Sequence, residues 1–404
     1  MNINQYNALF TGQGAQYAGM FDEFSNEPMA LEIFADASNI LSYDLLETSR
    51  DEEKIYLTQY SQPLNFVYEY LQFVLYQQNT SRKIKNMIGH SMGEFAALAC
   101  AGVVDFETGL RLIKKRGELM AQVAPDYLMV SVIGIEYAEV EQLLTHYTEK
   151  EHKESYISNC NGKEQTIVTI PKDGLKAFET TAKEVNEKVR IMALKLPYPF
   201  HTRYMKPFAD KLVKVLEDVD FHEPKVDIIL NVTGKPFQAR NSEIMKKYMA
   251  EQMYMPVQFT KCMRHAYLTG VNNWVEFGPK PLLSKMVGRE FDGANTLLAV
   301  KHNLQRMKES SETTEEGKED SLFNVIGFYL KLLTSRRNLP HCTETSKITA
   351  KYRLLRKLYL SLEKEGTHID EAAQGAFARL TFLEAMQLKG YSKKECEDML
   401  KQYS

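Results

Sequence analysis

Residues Ile88 to Ala99 read IGHSMGEFAALA, and their pattern predicts a strand, a sharp turn and a helix in succession. The order Gly-His-Ser-Met-Gly places Ser91 between two glycines, after an extended apolar approach and before a helix-forming run. This is the pattern of the nucleophile elbow, whose glycines avoid a side-chain clash and whose serine is exposed at the carboxyl edge of a sheet. The alternative interpretation is a serine near a helix start that carries no chemistry.

The rest of the chain predicts a parallel sheet around this turn. Strand-like runs at Asn7–Phe10, Asp227–Leu230 and Asn273–Phe277 alternate with helical stretches, as in an α/β fold whose sheet is covered on both faces. Between residues 127 and 198 the order becomes β-α-β-β-α-β, which predicts a small ferredoxin-like subdomain inserted in the larger one. We therefore expect a body of residues 1–126 and 199–308, the insertion 127–198, a polar linker 309–321 and a helical module 322–404.

Length, charge and cysteine content narrow the function classes. A chain of 404 residues suggests two or three domains, and a net charge of −3 disfavours nucleic acid as a partner. No apolar run approaches the ~18 residues of a membrane span and the first basic residue is Arg50, so neither membrane association nor a secretory segment is expected. The five scattered cysteines predict neither disulfides nor a metal site. We expect a cytoplasmic protein.

A serine nucleophile needs a base, because its hydroxyl is unreactive at its own pKa. Nine histidines are available. His90 adjoins Ser91 but is expected to point away across the turn, whereas His201 follows the proline-punctuated loop LPYPF, a setting that often carries functional residues. His201 is therefore the candidate base, although spacing alone does not exclude the other histidines.

The glycine pair Gly12 and Gly14 follows the first predicted strand and could suggest a dinucleotide site. The stretch fails that fingerprint, because Tyr17 stands where a third glycine is required. The loop should nevertheless lie beside the elbow, since the carboxyl ends of parallel strands share one edge of a sheet. The backbone N–H groups of Gln13 and Met92 could then serve one oxyanion.

Arg116 differs from its charged neighbours in the predicted helix Phe106–Gln122. At about 100° per residue it lies between Leu112 and Leu119, on the flank of the apolar stripe and away from the other charges. A partly buried arginine requires an anion, and the residues leave two choices open. One is a structural salt bridge, and the other is a substrate carboxylate held bidentately by the guanidinium.

Taken together, the motifs resemble those of the malonyl-CoA:acyl carrier protein transacylases and of polyketide synthase acyltransferase domains. The resemblance runs from about Asn7 to Leu304 and keeps the motifs in the family's order. They are FTGQGAQYAGM, TQYSQP, GHSMGEFAALACAG, KKRGELM, PFHTRYMKP, NVTGKPF and WVEFGP. It implies an α/β-hydrolase-like subdomain with the ferredoxin-like insertion.

The resemblance also implies a role for each matching residue. Ser91 matches the family's nucleophile and His201 its base, which a backbone carbonyl at Gln252 would orient in place of an acidic residue. The amides of Gln13 and Met92 match the oxyanion hole, and Arg116 matches the arginine that binds the free carboxylate of malonyl. Further substrate-binding candidates are Gln62, His90, Met120, Phe200 and Asn161, with Gln165 near the cofactor arm.

The implied activity is malonyl transfer from malonyl-CoA to a phosphopantetheinylated acyl carrier protein, with a Ser-His dyad and no permanently bound cofactor. The loop Tyr198-Pro199-Phe200 departs from the family's usual triplets, and the bulky Phe200 favours malonyl over methylmalonyl. Because no ketosynthase or carrier domain is present, a free-standing enzyme of polyketide or fatty acid biosynthesis is expected.

The closest alternative is an editing hydrolase that strips acyl groups from carriers, and Arg116 argues against it. An esterase or a non-catalytic scaffold fits the motifs less well.

The last 83 residues lie outside the resemblance. Residues 322–404 carry a net charge of +5, which leaves −8 for the remainder. Apolar residues at helical spacing predict a small helical module, with one helix over Tyr352 to Leu362, another over Phe377 to Leu388, and a capping box from Ser392 to Glu395. This module would either pack against the body or dock to an acidic carrier protein or synthase.

Overall fold

A computed structural model describes residues 5–194, 196, 198–237, 242–299, 347–355, 381–389, 391–392 and 395. The chain divides into two compact units, Met1–Ser311 and Glu312–Ser404. The predicted linker 309–321 lies outside the described residues.

The first unit alternates strands and helices. The strands are β1 Gln5–Phe10, β2 Lys83–Gly89, β3 Tyr127–Ile133, β4 Tyr156–Gly162, β5 Gln165–Pro171, β6 Arg190–Ala193, β7 Asp227–Ile228, β8 Asn273–Phe277 and β9 Asn295–Leu298. The α-helices are α1 Pro28–Leu41, α2 Leu45–Arg50, α3 Thr58–Gln78, α4 Gly93–Cys100, α5 Phe106–Met120, α6 Tyr137–Glu151, α7 Leu175–Val185, α8 Lys206–Leu216, α9 Ser242–Glu251, α10 Phe259–Leu268 and α11 Leu283–Glu290.

The larger sheet is parallel throughout and has the order β7-β2-β1-β8-β9. Phe10 at the end of β1 pairs with Gly89 on one side and Phe277 on the other, so three strands end at one level. The predicted strand at Asp227–Leu230 is shorter than expected. The strand β7 ends at Ile228, and one further hydrogen bond runs from the Ile229 N–H to the Met87 carbonyl of β2. Leu230 instead donates its N–H to the Lys235 carbonyl across a tight turn.

Both faces of this sheet are buried, which confirms the prediction from its apolar strands. Along β1, Ala8 and Phe10 pack into the principal core, whereas Leu9 points into a second core with Ile88 and Trp274. Alternation of side chains across a strand therefore supplies two separate cores. The elbow lies at the edge where β1, β2 and β8 end.

The inserted β-α-β-β-α-β unit is also confirmed. Its four strands form an antiparallel sheet of order β4-β5-β3-β6, and helices α6 and α7 share its core through residues such as Val130, Leu143 and Phe178. Backbone hydrogen bonds attach β4 to the segment before α10, from Cys160 N–H to the Val257 carbonyl at 2.8 Å and from Val257 N–H to the Ser158 carbonyl at 2.9 Å. The small sheet is thereby held beside the loops of the larger one.

In the second unit, residues 347–355 and 381–388 are helical, and Lys351 forms an ion pair with Glu384. Ser392 and Glu395 exchange backbone and side-chain hydrogen bonds of 2.8 and 3.3 Å, as in a capping box. The predicted apolar positions 359, 362, 377 and 380 lie outside the described residues.

Among the described residues, no helix combines the length and the apolar character needed to cross a bilayer.

The close contact between α4 and β1 generates a first prediction, which concerns Gly93. A Cβ on Gly93 would lie 2.3 Å from the Phe10 carbonyl oxygen and 2.4 Å from that of Thr11. We expect Gly93→Ala to lower the free energy of unfolding in urea by about 3 kcal/mol, because neither backbone can move freely.

Gly288→Ala is the control, since a Cβ there meets nothing within 4 Å. It should stabilise α11 by about 0.5–1 kcal/mol. Equal effects of the two substitutions would contradict this explanation.

Candidate active site

Ser91 occupies a sharp turn between β2 and α4. Its φ of +52° lies in the left-handed region, which non-glycine residues rarely adopt. The Asn231 side chain holds this turn from both sides. Its Oδ1 accepts the Ser91 N–H at 2.7 Å, and its Nδ2 donates to the Gly89 carbonyl at 2.6 Å. Backbone strain of this kind costs about 1–3 kcal/mol and is characteristic of functional sites.

The structure brings His201 to Ser91. His201 Nε2 lies 2.8 Å from Ser91 Oγ, and its Nδ1 lies 2.8 Å from the backbone carbonyl oxygen of Gln252. Because a carbonyl can only accept, Nδ1 carries the proton and Nε2 is the acceptor for the serine hydroxyl. His201 itself has a φ of +60°, so both members of the pair occupy strained backbone positions. The expected carbonyl orientation of the histidine is therefore present in the geometry.

Two backbone amides lie next to this pair. Gln13 follows β1 and Met92 follows Ser91 at the start of α4, and both line the same cavity as Ser91. Neither N–H has a hydrogen-bond partner within the described part of the chain. Two unpartnered donors beside a nucleophile are suited to stabilise a tetrahedral oxyanion.

Arg116 is fully buried, not half-buried on the flank of its helix as the sequence suggested. Its Nη1 donates to Gln62 Oε1 at 2.7 Å, and its Nη2 donates to Gln252 Oε1 at 2.8 Å and to Ser91 Oγ at 3.2 Å. Among the described residues Arg116 forms no ion pair, and its hydrogen bonds go to amide and hydroxyl oxygens, so the structure does not contain the salt-bridge alternative. Its buried Nε has no partner.

The electrostatics follow from this burial. Burial and the nearby positive charge of Arg116 lower the pKa of His201 to about 3, so the imidazole is neutral at pH 7. Burial lowers the pKa of Arg116 to about 9, against the opposing effect of the Glu94 charge. The guanidinium remains charged at neutral pH and also lies 5.5 Å from the centre of the Phe95 ring.

A cavity of about 190 Å³ opens onto Ser91 between the two sheets. Asn161 and Gln165 reach it from the smaller sheet, and Asn161 Oδ1 lies 2.8 Å from His90 Nε2. The ring of Phe200 stacks on that of Tyr198 with a centroid distance of 5.1 Å. The cavity is lined by six of the predicted binding candidates, namely Gln62, His90, Met120, Phe200, Asn161 and Gln165. Gln252, predicted to orient His201, contacts Arg116 through its side chain.

The sequence reasoning missed two residues of this site, Asn231 and Glu94. Asn231 stands in the NVTG segment, where an asparagine before a turn looks like turn chemistry alone. Glu94 is the only charged residue of α4, and an acidic residue in a first helical turn is ordinary. Its complete burial was the missing signal, and burial is a property of the tertiary structure.

Comparisons with known proteins identify the family and its solved structures. Residues 8–316 match the acyl transferase domain family. The chain is 31% identical over 295 residues to the malonyl CoA-acyl carrier protein transacylase of Escherichia coli (strain K12), covering 72% of this chain and 94% of that protein. The solved transacylase of the same name from Coxiella burnetii has a TM-score of 0.71 and 27% identity, covering 76% of this chain and 98% of that one. A malonyl-transacylase solved in complex with its type II PKS acyl-carrier protein has a TM-score of 0.70 and 27% identity. The match covers 76% of this chain and 99% of that one.

The depressed pKa of His201 predicts how stability depends on pH. The unfolded chain binds a proton at this histidine below about pH 6.5, whereas the folded protein does so only near pH 3. Stability should therefore fall as the pH falls through this window, by about 1.4 kcal/mol per pH unit for one proton. His201→Asn should remove that part of the slope, measured by urea unfolding between pH 6.5 and 4.5. Asparagine tolerates the positive φ.

Ser91→Ala is the matched control for this experiment, because it keeps the titrating imidazole and removes only its hydrogen-bond partner. It should retain the wild-type slope. A His201→Asn variant with the wild-type slope would disprove the assignment of a depressed pKa.

Proposed function

This chain belongs to the acyl transferase domain family, and on that premise we propose that it transfers malonyl from malonyl-CoA to a phosphopantetheinylated acyl carrier protein. The single observation that carries the proposal is a buried arginine 3.2 Å from the hydroxyl of the Ser91–His201 pair. A nucleophile beside a buried cation is suited to an acyl group that carries its own carboxylate. The names of the relatives, including the complex with an acyl-carrier protein, support the same substrate and partner.

The first half-reaction acylates Ser91. His201 Nε2 takes the hydroxyl proton while Oγ forms a bond to the thioester carbon, and the carbonyl electrons move to the oxygen between the Gln13 and Met92 amides. Collapse of this intermediate breaks the carbon–sulfur bond, and His201 returns the proton to the departing CoA thiolate. The Gln252 carbonyl stabilises the imidazolium through Nδ1–H.

The second half-reaction repeats the same steps with another thiol. His201 takes the proton of the carrier's phosphopantetheine thiol, the sulfur attacks the malonyl-serine, and Ser91 leaves with that proton. Both amide donors serve the second tetrahedral intermediate as well. One site therefore performs a ping-pong transfer without a bound cofactor.

Arg116 gives this chemistry its selectivity. A malonyl group on Ser91 extends its free carboxylate by two carbons from the reacting carbonyl, into the neighbourhood of the guanidinium that already contacts Oγ. Arg116 Nε is buried and has no hydrogen-bond partner among the described residues, so its N–H is a donor that the protein does not use. The Phe200 ring, stacked on Tyr198, narrows the cavity and supports selection of malonyl over methylmalonyl.

An editing hydrolase is the alternative function that shares this fold. It would need water in place of the carrier thiol, and it has no use for a buried cation beside the nucleophile. Arg116 therefore favours the transferase.

The cellular setting belongs to this proposal as well. We propose a cytoplasmic enzyme that supplies acyl carrier proteins in polyketide or fatty acid biosynthesis. The +5 charge of residues 322–404 supports docking of this segment to an acidic carrier protein or synthase. Packing against the body remains the other prediction for the same residues.

Intact mass spectrometry tests the function directly. The protein and a candidate carrier are incubated with malonyl-CoA, acetyl-CoA or methylmalonyl-CoA. We expect malonyl on Ser91 and then on the carrier, and neither adduct in Ser91→Ala. An unmodified carrier, together with rapid loss of acyl groups from preloaded carriers, would instead establish the hydrolase.

Arg116→Ala tests the origin of malonyl selection. Loss of a charge-assisted hydrogen bond costs about 1.5–3 kcal/mol, so malonyl loading should fall by one to two orders of magnitude relative to acetyl loading. The rates of Ser91 acylation with both thioesters measure this ratio. Arg111→Ala is the control, because Arg111 lies on the exposed face of α5 and pairs with Glu107. An unchanged malonyl:acetyl ratio in Arg116→Ala would refute the proposed role.

A further inference from the structure

Glu94 is a fully buried carboxylate that touches neither Ser91 Oγ nor the imidazole of His201. Its two oxygens each accept one hydrogen bond. Oε1 accepts the backbone N–H of Asn231 at 2.7 Å, and Oε2 accepts Nε2 of Gln252 at 2.6 Å. Both of these partners are donors, so a proton on Glu94 would have no acceptor there. The site therefore requires two acceptor oxygens from this side chain.

The Gln252 side chain connects Glu94 to the arginine. Its Nε2 donates to Glu94 and to the Ser91 carbonyl, each at 2.6 Å, and its Oε1 accepts from Arg116 Nη2 at 2.8 Å. The oxygen and nitrogen of an amide can exchange places by a flip, and only the surrounding hydrogen bonds decide between the two orientations. Burial raises the pKa of Glu94 to about 7, and the hydrogen bonds from Asn231 and Gln252 and the charge of Arg116 oppose that rise. Because both neighbours are donors, Glu94 offers an acceptor to Nε2, and this turns Oε1 toward the guanidinium.

This arrangement also explains how a buried cation is kept available. A carboxylate in direct contact with Arg116 would occupy the guanidinium, as in an ordinary ion pair. Here the negative charge lies one side chain away, and the neutral amides of Gln252 and Gln62 make the contacts. The Glu94 carboxyl thus opposes the effect of burial on the pKa of Arg116 without contacting the guanidinium, and Arg116 Nε stays unpartnered.

We propose that Glu94 is a positioning residue for malonyl selection, acting through the Gln252 amide on the orientation and charge of Arg116. This inference rests on the proposed function, since it assumes that Arg116 binds the malonyl carboxylate. Glu94 contacts no reacting atom, so its effect is on which acyl group is loaded and less on the chemistry of loading.

Glu94→Gln is the discriminating substitution. A glutamine has the same shape but offers one acceptor and one donor, whereas its site presents two donors. Either the Asn231 N–H or Gln252 Nε2 then loses its acceptor, and a flipped Gln252 would turn Nε2 toward Arg116. We expect the malonyl:acetyl ratio of Ser91 acylation to fall about tenfold, while acetyl loading changes much less.

Glu69→Gln is the matched control, because it makes the same change at another fully buried carboxyl. Glu69 Oε1 accepts from Thr11 Oγ1 at 2.6 Å and its Oε2 has no partner, so an amide fits there without opposing a donor. This control should keep the wild-type ratio. If Glu94→Gln does not fold, Gln252→Met provides the second test, since it removes the same amide and keeps the backbone carbonyl that orients His201.

A double-mutant cycle separates positioning from mere support of the fold. In an Arg116→Ala background, Glu94→Gln should not lower the malonyl:acetyl ratio further, because its path to the substrate is already removed. Equal loss of malonyl and acetyl loading in the Glu94→Gln single variant, or additive effects on the ratio, would overturn the inference. An unchanged malonyl:acetyl ratio in Arg116→Ala would overturn the role of Arg116 and this inference with it, whereas a carrier left unmodified by the wild-type protein would overturn the proposed function.

Discussion

The close approach of α4 to the end of β1 is the contact on which the site depends. His90 N–H donates to the Phe10 carbonyl at 2.9 Å, which continues the β1–β2 pairing one residue beyond the strand. Gly93 then packs directly over the same carbonyl, where no Cβ fits. The chain can make this turn only if Ser91 adopts a positive φ, and the side chain of Asn231 compensates by holding its N–H. The strain is concentrated at the residue whose hydroxyl must be exposed.

The position of the elbow over the end of β1 also determines which residues lie beside Ser91. Parallel strands of equal register bring the loop after β1, with Gln13, beside the start of α4, with Met92. Two backbone donors from different parts of the chain therefore meet without any side chain being required. The guanidinium of Arg116 is held by the amide oxygens of Gln62 and Gln252, and the Glu94 carboxyl lies on the far side of the Gln252 amide. Burial makes each of these charges costly and thereby makes their arrangement specific.

Several features could be predicted from local pattern because each depends on short-range periodicity or turn chemistry. The elbow at Ser91, the parallel sheet and the β-α-β-β-α-β insertion are of this kind, and the structure confirms them. His201 was one of several open candidates on spacing alone, and family resemblance singled it out. The length of β7 was misjudged, because Leu230, the last residue of the apolar run Asp227–Leu230, already bonds across the turn that contains Gly234.

By itself, then, the sequence determined the turn that presents Ser91, since glycine spacing and strand-to-helix periodicity are local properties of the chain. It also determined that Arg116 lies apart from the other charged residues of its helix, beside the apolar stripe. Only the tertiary structure decided that this arginine is fully buried against neutral amides, and that Glu94 and Asn231 join the site from positions 137 residues apart. The physical reason is that burial and hydrogen-bond partnership arise when distant segments exclude water together, which no local spacing encodes.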